Sequence, residues 1–138
     1  MIWKPVEPSA GRSALSFLAL RLTLAGLIAA HGWARLLAGG VAPFGDFLES
    51  GGWPLGFWIA AAITGLEIAG ALVLAIGRLI LPLTLAYAAI YAMGIVLVHA
   101  KAGWFVVGLG RNGAEYSVLL IVCLLAVGLR YWPARKSG

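Results

Sequence analysis

Four ionisable side chains stand at the ends of long apolar segments, where together they could bind a polar head group or exchange a proton. His31 and Arg35 are four residues apart, a spacing that puts two side chains on one face of a helix. His99 ends another apolar segment, and Glu115 begins the last one. If these segments are helices whose ends meet, the four residues form one ligand-binding site. Each also has an ordinary explanation: an interfacial histidine, an arginine that snorkels, or a glutamate that caps its helix.

A second pair of ionisable residues lies inside the apolar segments. Arg21 and Glu67 have opposite charges and lie at similar depths, counted at about 1.5 Å per helical residue from the same side. A charge at the centre of a bilayer costs about 2.5 to 3.5 kcal/mol. We therefore expect Arg21 and Glu67 to form a buried ion pair, which either fixes helix packing or belongs to a proton or ligand site.

A glycine-rich pattern, G-x-G-x-x-G, occurs at Gly108, Gly110 and Gly113 and resembles a dinucleotide-binding loop. Such a loop joins a strand to a helix, with an acidic residue about 20 residues further on. No acidic residue follows Glu115. The local sequence instead favours a helix start, with Asn112 as the N-cap and Glu115 reaching back to it.

The composition is that of an integral membrane protein. Of 138 residues, 62% are apolar and 11% are charged, too few charges to cover a soluble domain of this size. We predict a single all-α domain, residues 1–138, built as a bundle of four transmembrane helices. The predicted spans are approximately 13–38, 53–76, 79–100 and 113–132.

The basic residues predict the orientation of the chain in the membrane. Four spans put both termini on one side, and the side richer in Lys and Arg faces the cytoplasm. The terminal side holds Lys4, Arg12, Arg78, Arg130, Arg135 and Lys136. The opposite side holds Arg35, Lys101 and Arg111. Both termini are therefore expected in the cytoplasm. The basic residues form no contiguous patch, so the net charge of +5 does not indicate nucleic acid.

The residues for redox chemistry and metal binding are few. A single cysteine, Cys123, lies in the fourth predicted span, which excludes an internal disulfide or a dithiol pair. Redox chemistry would need a bound cofactor or a partner. His31 and His99 could ligate a haem, and with Glu115 they could hold a metal ion. Neither set has a diagnostic spacing, so both sites are disfavoured.

The sequence resembles the DoxX family of four-span membrane proteins. The resemblance rests on HGWARL near the end of the first span, GLEIAGALVLAIGR in the second, His99 at the end of the third and NGAEYSVLL opening the fourth. Many members have lysine where this chain has Arg35, which keeps the charge but changes the donor geometry. The resemblance implies a bacterial or archaeal cytoplasmic membrane and a role as a small subunit or partner of quinone-linked redox systems. It supplies no catalytic residue.

Together these features predict an accessory or substrate-binding subunit that receives a quinone or a small redox-active molecule near the outer face. Tyr87 and Tyr91 could line that site, and Trp104 and Phe105 could cover the ring. The alternative is a non-catalytic interaction or scaffold protein whose buried charges serve helix packing. The expected partners are the lipid bilayer and either a redox enzyme subunit or further copies of this chain.

Overall fold

The computed structural model describes residues 9–108 and 111–133, and in this part of the chain all regular secondary structure is helical. The helices are α1 (Ala10–Leu37), α2 (Val41–Ser50), α3 (Gly56–Ala75), α4 (Ile80–Ala102) and α5 (Glu115–Arg130). α1, α3 and α4 are long and apolar enough to cross a membrane. α5 has 16 residues, fewer than the about 20 that a span usually needs. The predicted all-helical membrane protein is confirmed, while the fourth crossing and the side of the termini remain predictions.

The long helices pack as a bundle that is open at one end. α1 packs against α3 on one side and against α5 on the other, and α4 packs along α5. The core between them includes Leu24, Ile28, Leu74, Tyr87 and Leu124. α3 and α4 approach each other next to the tight turn that joins them, and their far halves separate. This divergence leaves space between α3 and α4 at the end of the bundle away from that turn.

Both of these diverging helices contain one π-helical turn. These turns are Leu66–Gly70 in α3 and Ile95–His99 in α4. The hydroxyl of Tyr87 donates to the carbonyl oxygen of Leu66 at 2.6 Å and so ties α4 to the π-turn of α3. Gly70 gives this hydroxyl its room, because a Cβ there would lie 2.5 Å from the Tyr87 oxygen. Such turns re-aim side chains and are frequent at functional sites.

The connection between α1 and α3, which lies between the first two predicted spans, contains α2. α2 lies across the open end of the bundle and packs on α3. The two backbones touch at Gly45 and Gly56: a Cβ at Gly45 would lie 2.6 Å from the Phe57 Cα, and a Cβ at Gly56 would overlap the Gly45 carbonyl oxygen. Only glycine at both positions permits this approach. The glycine contact therefore fixes where α2 sits.

Candidate functional site

A cavity of about 410 Å³ fills the space between the far halves of α3 and α4. Its walls are mainly apolar, and α2 contributes Phe44 and Leu48. The ionisable side chains in the wall are His31, Arg35, Glu67, Tyr91 and His99. The volume lies within the roughly 300 to 1,000 Å³ of small-molecule sites, which are likewise mostly apolar with a few polar groups. The cavity therefore has the size and lining of a ligand site.

The deepest polar group of the cavity is a buried ion pair between α1 and α3. Nη1 of Arg35 donates to Oε2 of Glu67 at 2.5 Å and to Oγ1 of Thr64 at 3.2 Å. The Glu67 side chain is 2% exposed and that of Arg35 is 21% exposed. Gly32 lets the helices close at this level, since a Cβ there would lie 2.9 Å from the Glu67 Cβ. Glu67 is thus enclosed, and Arg35 is the partner that remains accessible.

The sequence led us to expect an ion pair between Arg21 and Glu67, but the structure does not bring these two residues together. Arg21 instead donates to the Tyr131 hydroxyl at 2.9 Å and to the Ala75 carbonyl oxygen at 3.4 Å. That expectation assumed that the first two spans begin and end at the same depth in the membrane. α1 begins at Ala10 and extends past the turn between α3 and α4, so Arg21 lies beside the end of α3. Glu67 is level with Gly32, about 16 Å further along α1 at 1.5 Å per residue.

Three of the four residues predicted to share an outer site line this cavity: His31, Arg35 and His99. Glu115 does not. Its Oε1 accepts hydrogen bonds from the backbone amides of Val106 at 2.6 Å and Val107 at 3.0 Å. The Glu115 carboxylate therefore holds the loop before α5 in place, because two amide donors stabilise its charged form.

The same loop explains the glycine pattern. The backbone amides of Gly113, Ala114 and Glu115 donate to carbonyl oxygens of residues 103–105, so the loop itself caps the start of α5. The predicted cap by the Asn112 side chain is wrong, because α5 begins at Glu115 and its N-cap residue makes no side-chain bond. Gly113 packs directly on the Trp104 backbone. Gly108 has a φ of +86°, which favours glycine, and Gly110 lies outside the described residues. These glycines join two helices, unlike a dinucleotide loop.

The ring of His99 has a defined orientation of its two nitrogens. Nδ1 lies 2.9 Å from the carbonyl oxygen of Asn112. Because a carbonyl oxygen only accepts, Nδ1 carries the proton, and Nε2 is the proton-accepting nitrogen of the neutral ring. His31 lies one turn before Arg35 on α1 and is exposed. The cavity wall thus combines an arginine donor with an imidazole whose Nε2 is a hydrogen-bond acceptor in the neutral ring.

The metal set that the sequence analysis disfavoured, His31, His99 and Glu115, is not assembled, because the Glu115 carboxylate bonds to the backbone amides of its own loop. In residues 9–108 and 111–133 no three His, Cys, Asp or Glu side chains are grouped closely enough to hold a metal ion.

The aromatic residues singled out from the sequence take different places. Tyr91 lines the cavity, whereas Tyr87 is fully buried in the bundle core. Trp104 and Phe105 are exposed in the loop before α5 and lie outside the cavity lining. The aromatic cover comes instead from Phe44 of α2, which the sequence reasoning missed. The spacing of Phe44 and Leu48, four residues apart, is the signal that could have identified an amphipathic helix there.

An all-helical bundle with membrane-length helices and a mainly apolar cavity around a buried ion pair defines a multi-pass membrane protein with room for a small ligand. Comparison with known families identifies which kind: the DoxX family model matches residues 16–100. This is more than half of the chain, and the protein belongs to the DoxX family. The match includes Arg35, Glu67 and His99 but ends before α5. No curated protein and no solved structure matches the chain significantly.

Proposed function

We propose that this chain is an accessory or substrate-binding subunit of a quinone-linked redox system, and that its cavity receives a quinone or another small redox-active molecule near the outer face. The observation that carries this proposal is an apolar cavity of about 410 Å³ with Arg35 and His99 in its wall. A quinone ring needs apolar walls, hydrogen-bond donors for its carbonyl oxygens and groups that exchange protons when it is reduced. Arg35 supplies donors, and Nε2 of His99 supplies a site for a proton.

The route into the cavity suits a ligand dissolved in lipid. Met93 lines the cavity and is 42% exposed on the surface of α4. The opening between α3 and α4 therefore lies between apolar helix surfaces that would face the acyl chains. A hydrophobic tail can remain in that opening while the head group approaches Arg35.

The electrons would come from a partner enzyme. Reduction of a quinone consumes two electrons and two protons, and the side chains in this cavity bind and exchange protons only. The lone Cys123 cannot form a dithiol pair. The chain is for this reason assigned a binding role within a larger redox system.

The outer position of the cavity depends on a topology of four spans with both termini in the cytoplasm, and we include that topology in the proposal. α5 is apolar and packs along α4 and against α1, as a further membrane helix would. Arg78 in the turn between α3 and α4, together with Arg12 and Arg130 near the two ends of the chain, supports this orientation, because the side richer in Lys and Arg faces the cytoplasm. The membrane would be the cytoplasmic membrane of a bacterium or archaeon.

The alternative is a non-catalytic interaction or scaffold protein. The loop before α5 favours it, since Trp104, Phe105 and Val107 expose their side chains on a segment that Glu115 holds in shape. In that case the Arg35–Glu67 pair serves helix packing and the cavity is filled by lipid.

Photo-crosslinking with a quinone analogue, in membranes, separates these two functions. Gly94→Leu is the informative variant, because Gly94 lines the cavity and its Cβ position meets only a His99 ring carbon at 4.0 Å. Gly65→Leu is the matched control: Gly65 also directly precedes a π-turn, but nothing lies within 4 Å of its Cβ position and it is exposed. We expect labelling of cavity residues that Gly94→Leu abolishes and Gly65→Leu preserves. Equal labelling of both variants would rule out the cavity as the quinone site.

A further inference from the structure

Arg35 uses only one corner of its guanidinium group. Nη1 makes both the bond to Glu67 and the bond to Thr64. Within the described residues, Nε and Nη2 make no hydrogen bond, and neither is among the buried unpaired atoms. The Phe44 ring packs over the guanidinium, with its centre 4.8 Å from Cζ. One edge of the guanidinium, formed by Nε and Nη2, is therefore accessible at the cavity wall and held in orientation.

This edge matches a particular arrangement of oxygen atoms. The N–H bonds of Nε and Nη2 are nearly parallel, and such a pair binds two neighbouring oxygens of one planar group at once. A simple para-quinone has its oxygens on opposite sides of the ring, so only one of them can reach this edge. A carboxylate fits both donors, as does a quinone anion with its hydroxyl oxygen next to a carbonyl.

The charges around the cavity allow an anion at this edge. Among the described residues that line the cavity, Glu67 is the only one with an acidic side chain, and its carboxylate is bound by Nη1 of Arg35. The other ionisable wall residues, His31, Tyr91 and His99, are two imidazoles and a phenol and carry no carboxylate. No second carboxylate in the lining repels a negative head group.

We propose that the cavity selects a lipophilic anion whose head group carries two neighbouring oxygens that share the negative charge, bound in bidentate fashion by Nε and Nη2 of Arg35. The proposal rests on the assignment of the cavity as a ligand site and narrows the kind of ligand. Two sources share this chemistry: an alkyl carboxylate, and a hydroxyquinone that has lost its proton.

Equilibrium binding to the purified full chain in detergent tests the selection with two pairs of probes. One pair is an alkyl naphthoquinone with and without a hydroxyl next to a carbonyl. The other is an alkyl carboxylate and its neutral amide, with the same tail. The Gly94→Leu variant gives the background from partition into micelles. We expect the anionic member of each pair to bind about tenfold more tightly or better, since hydrogen bonds to charged groups are the strong ones.

Arg35→Lys should remove this preference, because an ammonium keeps the charge beside Glu67 but offers no pair of parallel donors. Arg21→Lys, the same change outside the cavity, should retain it. If Arg35→Lys does not fold, Phe44→Leu releases the guanidinium plane and should weaken the preference. If Arg35→Lys still prefers the anionic probes, the proposal is overturned. If Arg35→Lys does not fold, an unchanged preference in Phe44→Leu overturns it.

The probe pairs also distinguish this proposal from the proposed function. Equal binding of both naphthoquinones overturns the selection but leaves quinone binding intact. A carboxylate preference that depends on Arg35, without binding of either quinone, supports the selection and contradicts the quinone role. Binding of all four probes at the Gly94→Leu background contradicts both.

Discussion

The carboxylate of Glu67 is almost fully enclosed, and its one charged partner in the described part of the chain is Arg35. Removing that partner leaves a buried charge without compensation, which costs about 3 to 5 kcal/mol in comparable pairs. We expect Arg35→Leu to lower the free energy of unfolding in mixed detergent micelles by that order. Adding Glu67→Leu to Arg35→Leu should restore much of the loss, because the double variant buries no unpaired charge.

Arg21 provides the control for this coupling. Arg21→Leu combined with Glu67→Gln should give additive losses, because Arg21 bonds to Tyr131 and Ala75 and lies about 16 Å from the level of Glu67. Coupling between Arg21 and Glu67, with additivity between Arg35 and Glu67, would contradict the observed pairing.

The hydroxyls of two neighbouring tyrosines on α4 should differ in their effect on stability. Tyr87 donates to Leu66, whereas the buried hydroxyl of Tyr91 has no partner among the described residues. Tyr87→Phe leaves a buried carbonyl oxygen with one hydrogen bond fewer, and we expect a loss of about 1 to 3 kcal/mol. Tyr91→Phe removes an unsatisfied group and should leave stability unchanged or higher. Chemical unfolding of the two variants measures this difference, and equal losses would contradict it.

The sequence indicates that the buried carboxylate of Glu67 requires a cationic partner. It does not show which of two arginines of α1, Arg21 or Arg35, is that partner. Arg21 and Arg35 are 14 residues apart, about four helical turns, so both point to nearly the same side of α1. Periodicity cannot separate residues with that spacing. Only the axial stagger of α1 against α3 decides, and that stagger depends on the contact of Gly32 with Glu67 and Ile68.

Among the helices, α2 closes the open end of the bundle, and glycines hold it there. A methyl group at Gly45 or Gly56 would collide with the backbone of the other helix. We expect Gly45→Ala to shift α2 and expose the cavity. In a Cys123→Ala background, a thiol introduced by Leu48→Cys should react with maleimide faster when Gly45→Ala is present. Gly65→Ala is the control, because its methyl group would contact no neighbouring atom and should leave the rate unchanged.

Glu115 holds the loop before α5 but does not line the cavity, so its removal should affect the loop and not ligand binding. Glu115→Ala removes the acceptor of the Val106 and Val107 amides. We expect faster hydrogen exchange at these two amides, with quinone labelling of the cavity retained. Glu49→Ala, which removes an exposed acid of α2, should leave the exchange unchanged. If Glu115→Ala instead loses quinone labelling of the cavity while hydrogen exchange at the two amides stays unchanged, Glu115 belongs to the ligand site.

Sequence patterns predicted the long helices well and their irregularities poorly. Apolar length alone indicates α1, α3 and α4, because a membrane span needs little else. The π-turns at Glu67 and before Ala100 have no local sequence signature. The first of them is bound by the Tyr87 hydroxyl, a contact between residues 21 apart in sequence. Glu115 illustrates the same limit: three residues after Asn112, it matched a helix cap, yet the tertiary contact with residues 106 and 107 determines its role.

At the scale of the whole molecule, the position of the cavity at one end of the bundle determines which leaflet of the membrane a ligand would come from. His31, Arg35 and His99 come from α1 and α4, and they meet because α3 and α4 diverge away from their connecting turn. The sequence brought these three residues to one end of the bundle by their positions along the spans. It could not reveal the cavity between them, because the contacts between α3 and α4, such as that of Tyr87 with Leu66, join residues that are distant in sequence.

The last prediction concerns the membrane topology, which decides whether this open end faces outward. If α5 crosses the membrane, its two flanks lie on opposite sides: Val107 outside with α2, and Trp132 inside with Ser9. Single cysteines introduced as Val107→Cys, Ser50→Cys, Trp132→Cys and Ser9→Cys, each in a Cys123→Ala background, are labelled in intact cells with a maleimide that cannot cross the membrane. We expect labelling at Val107 and Ser50, and protection at Trp132 and Ser9 until the membrane is opened. Labelling of Trp132 together with Val107 would show that the 16 residues of α5 pack in the bundle without crossing. Labelling of the cysteines at positions 9 and 132 alone would show that the cavity lies at the cytoplasmic side of the membrane. A ligand would then come from the cytoplasmic leaflet.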